Sequence, residues 1–483
     1  MSTIKQSVIS GVKWSAIQNV SVQGIHFLLG LLLARLLSPS DFGTVGMIGI
    51  FLAISSTFID SGFSNALIRK KNCTNVDLST VFYFNICISL FFYVILFLIA
   101  PWVASFFNIP ILCPILRVQS IALIINSLMG VQNAKLTIDL DFKGLAKRTM
   151  FSSVISGVCG VIMAYIGLGV WALVFQGLIA ALLNLFFLWF YLHWKPLWTF
   201  SISSFKEMGS YGSKLLASGL LNTIYEHLTP LAIGKFYTPQ DLGYYNRGTS
   251  FANYPMMSVN GIIKKVSFPI LAKIQDDDER LVSIYRKWIC IASMCIMFGT
   301  LMLAAIGKPL ILLLLTSKWS DAIIYLQVYC FSAMFQHING LNLNLLQVKG
   351  RSDLFLKLEI IKKIISTLFL FCAIPFGVMA ICISRVINTQ VAIFINTYYT
   401  GKLLGIGYVE QVKDYSVYFF LSLVACTPAY LFTLINIHPI LSIIIGCSIS
   451  ISLYYLLLRK NQYMLELLDV LKTEFAKKAS FRK

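Results

Sequence analysis

The chain has 483 residues, of which 58% are hydrophobic and only 12% charged, and its mean hydropathy is +0.78. A soluble chain of this length would carry about twice that charge fraction, so a water-soluble multidomain protein is excluded and the length is better divided into membrane spans of about 20 residues. The net charge of +19 does not point to nucleic acid, because the basic residues sit in short stretches between apolar runs.

The apolar runs predict an all-α integral membrane protein of about 14 transmembrane helices. In chain order they fall at 14–36, 42–66, 79–107, 113–136, 146–166 and 169–192, then at 209–233, 243–269, 287–307, 322–347, 356–375 and 377–401, and finally at 415–436 and 439–458. The first reads as a retained span, since it lacks a short apolar core followed by a small-residue cleavage site. The links alternate in charge. One side carries Arg69, Lys70 and Lys71, then Lys143, Lys147 and Arg148, then Lys264, Lys265, Lys273 and Arg280, then Lys349 and Arg351. The other side has links such as Gly167–Gly169 and Pro375–Gly377 that carry no charge. The positive-inside bias places the basic side and both termini in the cytoplasm, which requires an even number of spans. His193 to Trp198 reads as an aromatic and basic anchor at the interface. Residues 459–483 place Met464, Leu468, Leu471 and Phe475 at helical spacing, as in an amphipathic cytoplasmic tail lying on the membrane surface. Eleven cysteines are scattered singly with no CxxC, so no metal site, disulfide framework or cofactor is expected.

One motif occurs twice. Ala34-Arg35-Leu36-Leu37-Ser38-Pro39-Ser40-Asp41-Phe42-Gly43 aligns with Gly234-Lys235-Phe236-Tyr237-Thr238-Pro239-Gln240-Asp241-Leu242-Gly243. In each copy a hydroxyl residue can cap a helix, Pro fits the first helical position, and Asp three residues after the cap completes a capping box. Gly169-Val170-Trp171-Ala172-Leu173 and Gly377-Val378-Met379-Ala380-Ile381 form a second, weaker match. A parallel duplication of helical hairpins in an apolar chain marks a transporter built from two halves. The expected organisation is two six-helix bundles at 1–200 and 205–405, two appended helices at 410–458, and the tail at 459–483.

Polar side chains inside spans are costly unless they face a partner or water. The first span puts Asn19, Gln23 and His26 on one face, and the second aligns Ser56, Asp60 and Ser64. The seventh carries Asn222 and Glu226, with Ser218 above and Thr229 below. The eighth carries Asn246, Ser250, Asn253, Asn260 and Lys264 in a stripe, with Arg247 near its start. These four spans are the hairpins that hold the duplicated motif, which suggests that they line one cavity. Arg117 and Arg385 are further intramembrane cations. Glu226 and Asp60 are candidates for coupling to an ion. Gln336, Asn339, Asn342, Asn344 and Gln347 crowd the tenth span, where bonding between neighbouring helices is the alternative to a cavity role.

The segment from Ile233 to Arg247 (IGKFYTPQDLGYYNR) resembles lipopolysaccharide and exopolysaccharide exporters of the Wzx type, in particular the colanic-acid exporter branch. So do Ala34 to Gly43, Asp60 to Ile68 (DSGFSNALI) and Val266 to Ile270 (VSFPI). The resemblance spans nearly the whole chain and is most specific in the first 280 residues or so. It implies the multidrug/oligosaccharidyl-lipid/polysaccharide (MOP) superfamily, with two bundles around a V-shaped cavity in the bacterial inner membrane. It implies a flippase that moves undecaprenyl-diphosphate-linked oligosaccharides by alternating access, with cavity cations meeting the diphosphate. A proton or Na+ as coupling ion, membrane lipids, and polymerase and glycosyltransferase neighbours are the partners it implies.

Three rival functions remain at this stage. A MATE-like cation-coupled small-molecule exporter would favour deep acidic residues over the intramembrane arginines. A membrane polysaccharide polymerase or glycosyltransferase would need a sizeable outer loop, and none is predicted. A channel would show a repeated filter-like segment. The expected protein is therefore not an enzyme. Its substrate-binding candidates are Arg247, Arg117, Arg385, Asn222, Asn253, Asn260, Lys264, Asn19 and Gln23.

Overall fold

The chain adopts the expected all-α architecture, with no strand among the described residues. The computed structural model describes Trp14, residues 21–60, 62–70, 73–435 and 437–466, and Asp469, with side chains throughout except at positions 211, 214 and 254–266. Asn19 and the tail positions Leu468, Leu471 and Phe475 lie outside the described residues, as do the side chains of Asn260 and Lys264.

Two compact units divide the chain at Gly243. The first contains α1 (Ser21–Leu36), α2 (Pro39–Asp60), α3 (Phe63–Arg69), α4 (Asn75–Phe107), α5 (Leu112–Gln119), α6 (Ile121–Ile138), α7 (Phe142–Tyr165), α8 (Val170–Tyr191) and α9 (Ile202–Phe236). The next helix, α10 (Pro239–Ala272), begins at the division and lies mainly in the second unit. There it is followed by α11 (Asp278–Ala305), α12 (Gly307–Leu315), α13 (Ala322–Ala333), α14 (Gln336–Val348), α15 (Ser352–Ala373), α16 (Val378–Leu404), α17 (Tyr408–Phe432) and α18 (Pro439–Leu458).

Local side chains start many of these helices. Both copies of the duplicated motif form the capping box that their spacing predicts. Ser38 N donates to Asp41 Oδ2 at 2.9 Å and Asp41 N to Ser38 Oγ at 3.3 Å. Thr238 N donates to Asp241 Oδ2 and Asp241 N to Thr238 Oγ1, each at 3.1 Å. The second match also has a shared role: Gly169 and Gly377 stand before α8 and α16 with φ of 54° and 100°. The second expected span is not continuous. Gly62, at φ 76°, separates α2 from α3, so Ser64 leaves the stripe of Ser56 and Asp60. The tenth expected span is likewise two helices, α13 and α14.

Nine spans among the described residues are long and apolar enough to cross a bilayer. The helices α9 and α10 are longer still, at 35 and 34 residues, but carry polar side chains through their middles. The charges Lys357, Glu359, Lys362 and Lys363 set α15 apart from the nine. In the first unit, Phe63, Leu67, Phe82, Val131 and Trp194 form a core that ties α3, α4 and α6 to the link before α9. In the second, α11, α14, α17 and α18 bury a larger core around Tyr285, Met297, Ile338 and Ala425. Large side chains such as Leu98, Ile166, Phe190 and Leu368 stand exposed, as lipid-facing surfaces require.

Candidate functional site

In the first unit the two motif copies touch. A Cβ on Gly43 would lie 1.6 Å from the carbonyl oxygen of Pro239, and one on Gly243 would lie 1.9 Å from that of Pro39. Each glycine therefore admits the backbone of the other copy's first helical turn, as only glycine can. Below this contact α9 runs along α2, with Thr57 and Thr223 hydroxyls 2.9 Å apart. His227 faces Gly49 of α2. Asn222 and Glu226 fall on the adjoining face of α9, and both are exposed.

Asp60 ends α2 at a polar cavity of about 260 Å³. The helices α4 and α6 supply the rest of its wall: Asn85, Asn126, Ser127 and Asn133. Gly130 keeps the wall thin, since a Cβ there would lie 3.1 Å from Asn85 Nδ2. Asn85 Oδ1 is buried without a hydrogen-bond partner among the described residues, which is costly unless the cavity provides one. Asp60 makes no ion pair among the described residues. Carboxylate, amide and hydroxyl oxygens in one room suit a proton or a monovalent cation, and equally the hydroxyls of a sugar. No group of three or more His, Cys, Asp or Glu residues suited to a metal ion occurs among the described residues.

Arg117 also belongs to this unit. Its Nε donates to the Phe97 carbonyl at 3.2 Å, and its guanidinium lies 4.2 Å from the Phe97 ring centre. On α1, Gln23 is exposed, whereas His26 is within 3.4 Å of Ser153 Oγ on α7 and so has a packing partner.

The second unit gathers arginines and tyrosines. The close crossing of α10 and α13 at Gly248, where a Cβ would lie 2.6 Å from the Ala322 carbonyl, sets their side chains together. Arg385 on α16 donates to Tyr245 Oη at 3.4 Å and sits 5.1 Å from the Tyr329 ring centre. Tyr329 Oη in turn donates to Asn253 Oδ1 at 3.0 Å. Two residues after Tyr245 on α10, Arg247 lies 5.6 Å from the ring of the fully buried Trp319. Aromatic faces orient guanidinium planes without neutralising their charge. Two of the sequence candidates, Asn253 and Arg385, are thus joined through Tyr245 and Tyr329, while Arg247 stands on another face of α10 against Trp319.

The amide-rich helix α14 turns out to bond its neighbours. Asn342 and Gln411 exchange hydrogen bonds of 2.8 and 3.0 Å, Thr400 Oγ1 joins them at 3.0 Å, and Asn396 donates to Asn339 at 2.7 Å. Sequence reasoning missed Tyr245 and Tyr329, although Tyr245 stands inside the quoted motif. It also missed the amides of α4 and α6. Their signal was there, since Asn126 and Asn133 are two helical turns apart in an apolar run.

A protein-family model described as a polysaccharide biosynthesis protein matches residues 32–324. The chain is 26% identical over 443 residues to the lipopolysaccharide biosynthesis protein WzxC of Escherichia coli K12, covering 89% of this chain and 88% of the relative. It is 26% identical over 322 residues to the succinoglycan biosynthesis transport protein ExoT of Rhizobium meliloti, covering 66% and 64%. Among solved structures, the lipid II flippase MurJ in an inward closed conformation superposes with a TM-score of 0.71 at 13% identity, over 93% of this chain and 99% of that one. At that identity the likeness is one of fold.

Proposed function

The chain belongs to the polysaccharide biosynthesis protein family, and from that premise we propose that it is a flippase for lipid-linked oligosaccharides. In this reading it moves undecaprenyl-diphosphate-linked repeat units across the bacterial inner membrane by alternating access, for surface polysaccharide assembly. Both termini then lie on the cytoplasmic side, where the basic links are. The observation that carries the reading is two intramembrane arginines in the second unit, Arg247 and Arg385, each set against an aromatic ring. A diphosphate is the anion that a lipid-linked glycan brings into the membrane, and guanidinium donors match its oxygens. The hydroxyl and amide groups of Tyr245, Tyr329 and Asn253 suit sugar hydroxyls or the same oxygens. The names of WzxC and ExoT place those relatives in polysaccharide production, and ExoT's places it in transport. A multidrug-type exporter would receive organic cations on acids, which the arginine-rich neighbourhood disfavours. Asp60 and its cavity are the first candidate for a coupling proton or Na+, and Glu226 is the second. Partner glycosyltransferases and a polymerase would supply and consume the lipid-linked unit.

The test is reconstitution. Liposomes holding the protein and a fluorescent undecaprenyl-diphosphate oligosaccharide in one leaflet should expose the label on the other. Arg247→Ala should slow this exchange while the protein remains folded. Equal rates with and without the protein would overturn the reading.

A further inference from the structure

A second cavity, of about 500 Å³, opens between α6, α7 and α8. Lys143, Lys147 and Arg148 line it from the first two turns of α7, and Phe187 and Tyr191 line it from α8. Its wall is fixed. Asp141 Oδ1 caps α7 by accepting from Gly144 N at 3.0 Å, and Tyr191 Oη donates to Asp141 Oδ2 at 2.5 Å. The Tyr191 ring then lies so close over Gly144 that a Cβ there would meet it at 2.7 Å. No acidic residue is among the described residues that line the cavity.

Arg148 is the informative residue. Its Nη2 donates to Asn133 Oδ1 at 2.9 Å, but its Nε and Nη1 are buried with no hydrogen-bond partner among the described residues. It forms no salt bridge with a described carboxylate, and Asp141 is already engaged by Gly144 and Tyr191. A half-buried guanidinium with two unmatched nitrogens calls for an anion with several acceptor oxygens. Two more cations at the mouth point the same way. The surroundings distinguish a lipid from a free ion. Phe151, Ile155, Val158 and Ile162 are 62%, 41%, 49% and 53% exposed and form one stripe along α7 that starts at the cavity. Phe186 and Phe190 stand exposed on the neighbouring helix α8.

We propose that this cavity binds the headgroup phosphate of an anionic bilayer phospholipid, in the leaflet on the basic side of the protein, with an acyl chain along the α7 stripe. Cations at headgroup level between helices, leading into an apolar track, are the recognition chemistry for such a lipid. The inference rests on Arg148 and its cavity, not on the transport reading, so either can fail alone.

The experiment uses the full chain purified in detergent and titrated with dioleoyl phosphatidylglycerol, with bound lipid counted by native mass spectrometry. Parallel titrations use dioleoyl phosphatidylcholine, inorganic phosphate and undecaprenyl diphosphate. Phosphatidylglycerol should bind in preference to phosphatidylcholine. Its tightest site should weaken about tenfold or more in Arg148→Met, as loss of a charge-assisted contact implies. The double variant Lys143→Gln/Lys147→Gln, altered only at exposed positions, should weaken it too and covers the case in which Arg148→Met does not fold. Equal phosphatidylglycerol binding by wild type and both variants would overturn the proposal, as would equal binding of phosphatidylcholine. Full displacement by millimolar inorganic phosphate would make this a free-anion site. Variant-sensitive binding of undecaprenyl diphosphate alone would make it a substrate subsite. Either result overturns the phospholipid assignment.

Discussion

A methyl group on Gly43 has no room beside the Pro239 carbonyl, and the same holds for Gly243 beside Pro39. The obstacle in both cases is backbone, which cannot swing aside as a side chain can. Gly43→Ala and Gly243→Ala should therefore each cost about 1–3 kcal/mol, the usual range for overpacking a close contact. Gly49→Ala is the control, because its nearest neighbour is the His227 ring at 3.7 Å, an ordinary contact distance. Thermal unfolding in detergent should show a lower midpoint for the first two and little change for the third. Equal midpoints in all three would mean that the motif copies do not approach so closely. Arg385 gives the second prediction at this scale. Its guanidinium bonds Tyr245 Oη and lies against the Tyr329 ring at once. An ammonium is a compact point charge without that plane, so Arg385→Lys should restore only part of what Arg385→Ala removes. The expected loss for alanine is about tenfold or more in the flipping rate, the worth of one charged hydrogen bond. Full activity in the alanine variant would place diphosphate recognition on other residues.

Among helices, the question is which polar faces serve a site and which only hold neighbours. Where a signal is local, it could be read from sequence. The capping boxes of Ser38 with Asp41 and Thr238 with Asp241 need only residues three apart, and both form. Partners far apart in the chain could not be read. Asn342 sits in an amide-rich helix that suggests a cavity, yet its partners are Gln411 and Thr400. Asn133, among the amides that sequence reasoning missed, links Arg148 to the Asp60 cavity that it also lines. Gly62 explains a further difference: its left-handed φ ends α2, so the stripe predicted through Ser64 stops at Asp60. These distinctions make Asp60 a stronger coupling candidate than Glu226. Both carboxylates are exposed, but Asp60 stands at the junction of α2, α4 and α6 and shares a polar cavity with the orphaned Asn85 oxygen, whereas Glu226 lies on the face of α9 beside the one that meets α2. Asp60→Asn keeps the shape and removes the charge. It should abolish the acceleration of flipping by an imposed pH or Na+ gradient, while ungraded exchange persists. Glu226→Gln should keep that acceleration. Gradients imposed one at a time in the same liposomes identify the ion. The opposite pattern between the two variants would move coupling to Glu226, and loss in neither would leave both carboxylates structural.

For the whole chain, the proposed orientation rests on the distribution of charge, since Lys and Arg near the ends of spans are held back on the cytoplasmic side. The links at 195 and 273 lie on the basic side by that reasoning, and those at 168 and 376 on the other. The described helices give this assignment physical intervals. A single 22-residue helix, α8, separates position 168 from position 195, and at about 1.5 Å per residue it is about the thickness of the hydrocarbon core. Position 376 lies in a short turn between α15 and α16, and Phe376 is 78% exposed. Lys195 and Lys273 are exposed as well, so all four positions tolerate a reporter. The eleven native cysteines are unpaired, and Cys87, Cys295 and Cys372 are exposed, so labelling needs a background in which they are replaced. Most of them are small apolar packing residues, and alanine or serine should be accepted at the exposed ones. In that background, Lys195→Cys and Lys273→Cys should react with a membrane-impermeant maleimide only after the inner face is opened. Leu168→Cys and Phe376→Cys should react in intact cells. Reaction of positions 168 and 195 from the same side would mean that α8 does not cross the membrane, and the even-numbered topology with both termini inside would fall with it.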